Sequence, residues 1–314
     1  MKKGFLLLLL LFAALQSRAQ ESQSQYNFLR LPVSAHAAAL GGDNVTIIED
    51  DASLVFSNPA LAASVSDMSI GLNYMSYMKG ANYLSASFVK AASDKATWAV
   101  GAQYINYGTM KETDEYNRET GSFSAQDVAL SGTFAYTLAS KWVGGITAKM
   151  VYSSLGSYTS LAMGVDLGLN YYDPDHEWSI SAVARNLGGE LKAYDEDFGK
   201  MPLDVEVGVS KTLAMAPLRF SATLVDMTHY DYRFANHLCL GADLLLSESI
   251  WIGAGYNFRR ADEMKIQSSD SQSSHGAGLS LGAGVNLERF KLNVAYGKYH
   301  VSSSALMINV AYCL

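Results

Sequence analysis

The sequence predicts an all-β fold: a transmembrane antiparallel β-barrel of about 14 strands around an N-terminal luminal plug. Three observations lead there. Stretch after stretch alternates apolar and polar residues with a period of two, a strand signal. The connections alternate short and long, so that every one of about ten residues or more falls in the same alternate set. Beyond the N-terminus no apolar run approaches the ~18 residues of a helical span, yet 49% of residues are hydrophobic. A sheet in lipid must pair every backbone group, and only closure removes its edges.

The first segment, residues 1–19, reads as a secretory signal. Lys2 and Lys3 supply positive charge, Phe5 to Leu15 form an apolar core too short to span a bilayer, and Ser17 and Ala19 precede a cleavage point at Gln20. No Cys follows the apolar core, which argues against lipoprotein processing. Residues 20–67 lack a sustained period of two. Within them Ser34–Gly42 reads as a helical turn, opened by Ser and closed by Gly41-Gly42. A segment of mostly small and apolar residues with no strand partner is expected inside the barrel as a plug.

Residues 68–314 form the barrel. The expected strands are 68–78, 82–90, 97–107, 124–138, 141–154, 158–172, 177–186, 203–212, 218–226, 237–246, 250–258, 276–286, 290–299 and 305–314. In the sixth, Leu161, Met163, Val165, Leu167, Leu169 and Tyr171 share one face, while Ser160, Ala162, Gly164, Asp166, Gly168 and Asn170 share the other. The prolines, Pro32, Pro59, Pro174, Pro202 and Pro217, all lie outside these strands, as a closed hydrogen-bonded ladder requires. Gly108–Phe123, Leu187–Pro202, Met227–Asn236 and Arg259–His275 are the long connections and are expected outside the cell. The other set, such as Ala139–Ser140 and Leu287–Arg289, is expected in the periplasm.

Tyr74, Tyr77, Tyr104, Tyr107, Tyr152, Tyr171, Tyr256, Tyr296 and Tyr299 lie toward strand ends and are expected in girdles at the headgroup level. Isolated charges, Asp127, Lys149, Asp166, Arg185, Asp204, Glu206 and Asp243, fall on the other face of the strands. On lipid each would cost a few kcal/mol near the midplane, so they are expected to point inward and pair or meet water.

The net charge is −7, and about −10 without Lys2, Lys3 and Arg18, which argues against nucleic-acid binding. Cys239 and Cys313 give no disulfide framework. The six histidines, His36, His176, His229, His237, His275 and His300, form no metal-ligand spacing, so no metal or cofactor is expected. Gly278-Leu279-Ser280-Leu281-Gly282 matches the nucleophile elbow, which needs a strand-to-helix turn, but it lies inside an alternating strand. Ser87-Phe88-Val89-Lys90 matches a motif that needs a helix to bring Lys beside Ser, and it too lies in a strand. No catalytic residue is expected. The acidic runs Lys111-Glu112-Thr113-Asp114-Glu115 and Asp195-Glu196-Asp197 sit in long connections, where a barrel meets other proteins.

One segment carries more than class. It runs Phe28-Leu29-Arg30-Leu31-Pro32, Ser34-Ala35-His36-Ala37-Ala38-Ala39-Leu40-Gly41-Gly42, Asp50-Asp51 and Phe56-Ser57-Asn58-Pro59-Ala60-Leu61. This resembles the N-terminal signature of FadL-like outer-membrane proteins, and in its full order the PorV/PorQ branch, on the side of the shorter PorQ-like members. Arg185-Asn186-Leu187-Gly188-Gly189 and Met201-Pro202-Leu203 resemble the same branch's strand–loop–strand passage. The resemblance implies an outer-membrane barrel of fourteen strands with Gly41, Gly42, Asn58, Pro59 and Ala60 in the plug. It further implies a part in type IX protein secretion in Bacteroidota: an anchor for a PorZ-like surface partner in the attachment complex, beside a sortase and a PorV-like shuttle. The alternative is a FadL-like transporter of hydrophobic small molecules.

Overall fold

The computed structural model describes residues 24–314 apart from 248, 265, 269–270, 274–275 and 302, with no account of the side chains of 265–275. The expected signal peptide therefore lies outside the described residues, as does His275. Fourteen strands close into one antiparallel barrel. They are β1 (Ser69–Met78), β2 (Ala81–Ser93), β3 (Ala96–Thr113), β4 (Glu119–Ala139), β5 (Trp142–Leu155), β6 (Tyr158–Asp173), β7 (Trp178–Lys192), β8 (Asp204–Thr212), β9 (Leu218–Leu224), β10 (Leu238–Ser247), β11 (Ile250–Asn257), β12 (Leu279–Asn286), β13 (Phe290–His300) and β14 (Ser303–Cys313). Each pairs with its chain neighbours, and β1 closes on β14 from Ser69↔Cys313 to Ser76↔Leu306.

The period of two sets the two faces. On β6, Ser160, Ala162, Gly164, Asp166 and Asn170 are buried, while Met163 and Leu167 stand out with Leu130 and Phe134 of β4 and Ile146 and Met150 of β5. That outer apolar band is the lipid-facing surface of a membrane barrel. No helix among the described residues is long and apolar enough to cross a membrane.

The loops depart from expectation in three places. Gly108–Phe123 is not a loop: β3 runs to Thr113 and β4 starts at Glu119, leaving a turn at 114–118. Polar residues on both faces of this ribbon hide its period, because a strand in water has no face to bury. Arg259–His275 holds a short helix, α2 (Phe258–Glu263), and a small hairpin of Ile266–Ser268 with Ser271–Ser273. Asn257 starts that helix by accepting the Arg260 N–H at 3.0 Å. Leu187–Pro202 is likewise shortened to 193–203, because β7 continues to Lys192.

Residues 24–67 thread through the lumen. Gln25 N–H bonds the Lys200 carbonyl in the connection 193–203, at the long-loop rim. The helix α1 (Ala35–Ala39) packs on β11–β14, and two 3₁₀ turns, Ala52–Phe56 and Pro59–Ser64, pack on β1–β6. The segment leaves at the opposite rim, where Asp67 accepts the Ala91 N–H at 2.9 Å.

Candidate functional site: the filled lumen and its rim

Helix α1 forms because Ser34 caps it, accepting the Ala37 N–H at 3.4 Å and donating to Asp51 at 3.0 Å. It ends because Gly41 and Gly42 take φ of +105° and +102°, a region other residues rarely adopt. The Gly42 N–H returns to the Ala37 carbonyl at 2.9 Å. A side chain at Gly41 would also meet the Cys239 Sγ at 2.3 Å.

Asn58 fastens the far end of the plug. Its amide donates to the Val45 carbonyl at 3.1 Å and to Ser181 Oγ on β7 at 3.2 Å, and its oxygen accepts the Ala60 N–H at 3.0 Å. Pro59 follows as the first residue of the 3₁₀ turn, where its missing N–H costs nothing. The wall makes room with glycine. A Cβ at Gly168 would lie 2.1 Å from the Asn58 oxygen, at Gly145 2.4 Å from the Pro59 carbonyl carbon, and at Gly255 2.2 Å from that of Leu40. The plug backbone thus rests directly on the sheet.

The inward charges form a chain of buried clusters. His36 bridges Glu49 at 2.7 Å and Asp243 at 2.9 Å; Arg219 reaches the same two carboxylates at 2.8 Å each. The imidazole stacks on Trp251, 3.5 Å between centroids and 2° from parallel. Burial opposes the imidazolium, but Glu49 and Asp243 outweigh it and hold the His36 pKa at about 9. Burial likewise opposes charge on Glu49, and His36 and Arg219 hold it at about 2. Trp251 donates to Asn293 at 3.1 Å, and a ladder continues through Asn309 and Asn73 to Ser85.

On the neighbouring strands Arg185 binds Glu206 and, at 3.3 Å, Asp204. Lys149 binds Asp166 at 2.7 Å and Asn186 at 2.8 Å. At the long-loop rim Asp226 gathers Arg30 of the plug, at 3.0 Å, and Arg259 of α2. Among the described residues Asp127 has no cation; it accepts from Tyr107 at 2.7 Å and from Ser153. All seven charges expected inward are buried. His36, Glu49, Arg219 and Asp226 were not among them, because their partners are distant in sequence and the plug has no period to show which way they point.

Cavities border the plug at both rims. One of about 290 Å³ at the short-turn rim is lined by Ile48, Ala60, Leu61 and Tyr172. One of about 210 Å³ at the long-loop rim is lined by Arg30, Asp43, Arg259, Arg260 and Tyr299. Between them lie the ion pairs.

The tyrosine expectation needs correction. Tyr74, Tyr152, Tyr256 and Tyr296 do face out. Tyr77, Tyr107 and Tyr299 instead pack into the luminal core, with Arg260 over the Tyr299 ring at 4.5 Å. A tyrosine near a strand end serves either face, and alternation from its neighbours decides which. Of the two motif matches, Ser280 is buried in β12 and accepts from Arg260 at 2.5 Å. Ser87 points into the lumen while Lys90 points out, since three residues along a strand reverse the face.

No protein-family model matches the sequence, and no curated protein matches it. Solved structures do match. TodX, a toluene transporter of Pseudomonas putida, aligns over 90% of this chain and 97% of its own at a TM-score of 0.57 and 14% identity. The monoaromatic hydrocarbon channel CymD aligns over 90% and 96% at 0.56 and 15%. A FadL homologue of Pseudomonas aeruginosa aligns over 90% and 99% at 0.54 and 10%. Identities this low speak of architecture alone, and the architecture is that of the FadL-type outer-membrane β-barrels.

Proposed function

We propose that this barrel is a non-enzymatic outer-membrane scaffold of the type IX secretion machinery, holding a surface protein at its long-loop rim. The observation that carries the scaffold reading is the filled lumen. Plug and wall are joined by buried ion pairs, His36–Asp243 and Arg219–Glu49 among them, and breaking one is expensive. A transport path beside the plug would need an interrupted strand facing an apolar pocket. β7 is interrupted, with a register shift against β6 between Val165 and Leu167 and Asn186 at φ +60°. Behind that point, however, stand Lys149 and Asp166. The secretion role rests on the ordered N-terminal pattern from Phe28 to Leu61, which resembles the PorV/PorQ branch.

A second reading, uptake of hydrophobic small molecules, is favoured by the fold. Two of the matching structures are named as a toluene transporter and a monoaromatic hydrocarbon channel. These comparisons bear on the second reading more directly than on the first.

Affinity purification from detergent-solubilised outer membranes, paired with a liposome uptake assay, separates the two. The scaffold reading expects secretion-system proteins to co-purify and no uptake of toluene or fatty acid above empty liposomes. Uptake by the pure barrel, with no such partner recovered, would overturn it.

A further inference from the structure

The ribbon formed by the upper parts of β3 and β4 stands free of the barrel. β2 pairs with β3 only up to Asn82↔Asn106, and β5 pairs with β4 only from Ala125↔Leu155. Beyond those points β3 and β4 pair with each other alone, from Thr109↔Ser124 to Thr113↔Glu119. Both edges of the ribbon are therefore unpaired, and an unpaired edge is a template for another strand.

The β4 edge is the one that faces the turn from β5 into β6. The Gly156 N–H donates to the Ser124 carbonyl at 3.0 Å, closing off β5 where it turns into β6. Ser122 lies two residues on, so its N–H and C=O point the same way, away from β3. A cavity of about 800 Å³ lies beside this edge, lined by Glu112, Ser122, Phe123, Leu155 and Tyr158 among others. Leu155 and Tyr158 are exposed there, an apolar flank for one side of an entering segment. The charges around it are unequal. Lys111 pairs with Glu119 and Arg118 with Asp114, at 3.4 Å for the latter, whereas Glu112 has no ion pair among the described residues.

We propose that the Glu119–Phe123 edge of β4 receives an extended segment of a partner protein as an added strand, with a lysine or arginine of that segment at Glu112. Backbone bonds would come from Ser122, and alternate side chains would meet Phe123, Leu155 and Tyr158. The stretch of about five residues spans roughly 17 Å of strand. It lies above the lipid-facing band, where water otherwise solvates its polar groups. This inference rests on the scaffold reading and names how one contact is made.

The test uses the full-length protein in detergent and a fluorescent six-residue peptide alternating valine and lysine, read by anisotropy. A second peptide carries an N-methyl group on every backbone amide and can donate on neither edge. The first peptide is expected to bind and the second not. Ser122→Pro removes the outward donor without touching the β3 ladder, and is expected to weaken binding at least ~10-fold. Ser122→Ala should bind as the parent does, and Glu112→Gln should weaken binding a few-fold and flatten its salt dependence. Equal binding of the two peptides, equal binding by Ser122→Pro, or no binding by the parent would overturn the proposal. Should Ser122→Pro fail to fold, the two peptides on the parent protein still decide. Recovery of secretion-system partners without peptide binding would remove this edge and leave the scaffold reading standing.

Discussion

The barrel has a tall wall and a low wall. Strands β2 to β7 run 13 to 21 residues, whereas β8 to β12 run only 7 to 10. On the tall wall the strands rise past the membrane and close in tight turns. On the low wall they stop near the membrane, and the connections 193–203, 225–237 and 258–278 fold above them. The two walls also treat charge differently. The low wall carries Arg219 and Asp243, which bind the plug, and Asp204 and Glu206, which bind Arg185 on the adjoining strand of the tall wall; its loops bring Arg259 to Asp226, which also binds Arg30 of the plug. The tall wall meets the plug with glycines at Gly145 and Gly168 and with small apolar residues. The low wall holds the plug by charge and, at Gly255, by close backbone contact as well; the tall wall holds it chiefly by close contact. Ion pairs specify a position, and glycine contact lets two backbones approach; together they leave the plug one register.

The largest expected effect breaks the charge cluster where the two walls meet, between β7 and β8. Arg185→Leu leaves Asp204 and Glu206 buried without their cation. We expect a loss of ~3–5 kcal/mol in thermal or urea unfolding, followed by the gel shift between folded and unfolded barrel. An unchanged midpoint would show that water reaches the cluster and that this junction is not held by charge.

The pH dependence of the His36 latch comes next. The folded value of about 9 lies above the ordinary 6.5, so its stabilisation is fully present below pH 6.5 and fades as pH rises through 9. Glu49 has the opposite sign: its value of about 2 lies below 4.5, so its stabilisation is present above pH 4.5 and fades as pH falls toward 2. The plug should therefore be tightest between pH 4.5 and 6.5 and should lose on the order of 3 kcal/mol by pH 9. Protease cleavage of the plug, or single-channel current, measured across pH 5 to 9 reports this. His36→Gln should abolish the alkaline slope.

A smaller effect is expected where the sheet touches backbone. Gly255→Leu places a side chain against Leu40 and Gly41, and should cost ~1–3 kcal/mol while raising plug cleavage. Such a change separates contact from charge, because it leaves the His36 cluster intact. The smallest effect belongs to the tall wall's ribbon. Replacing 110–122 with a two-residue turn should shift stability by no more than about 0.5 kcal/mol, because the ribbon packs on nothing that holds the barrel. A larger loss would show that the tall wall depends on its protrusion.

Much of the sheet was legible in the sequence because lipid on one face and plug on the other impose alternation on every strand between them. β6 could be assigned residue by residue for this reason. The ribbon at 108–123 was missed as strand because water lies on both its faces and leaves no alternation to read. The wall glycines were missed because a glycine adds nothing to a hydrophobic period; Gly168 and Gly255 gain meaning only when Asn58 and Leu40 arrive from elsewhere in the chain. His36 was weighed only as a metal ligand and set aside. Its partners, Glu49 and Asp243, lie 13 and 207 residues away, and no spacing rule joins them.

The sequence by itself determined that this chain is a closed barrel, which residues of most strands face lipid, and which rim carries the long connections. It could do so because period and loop length are local properties, enforced by the solvent on each face. Tertiary structure alone decided which inward charges pair, which glycines bear the plug, and that the barrel has one tall wall and one low one. Those are relations between residues far apart in the chain, and they exist only once the sheet has closed around the plug.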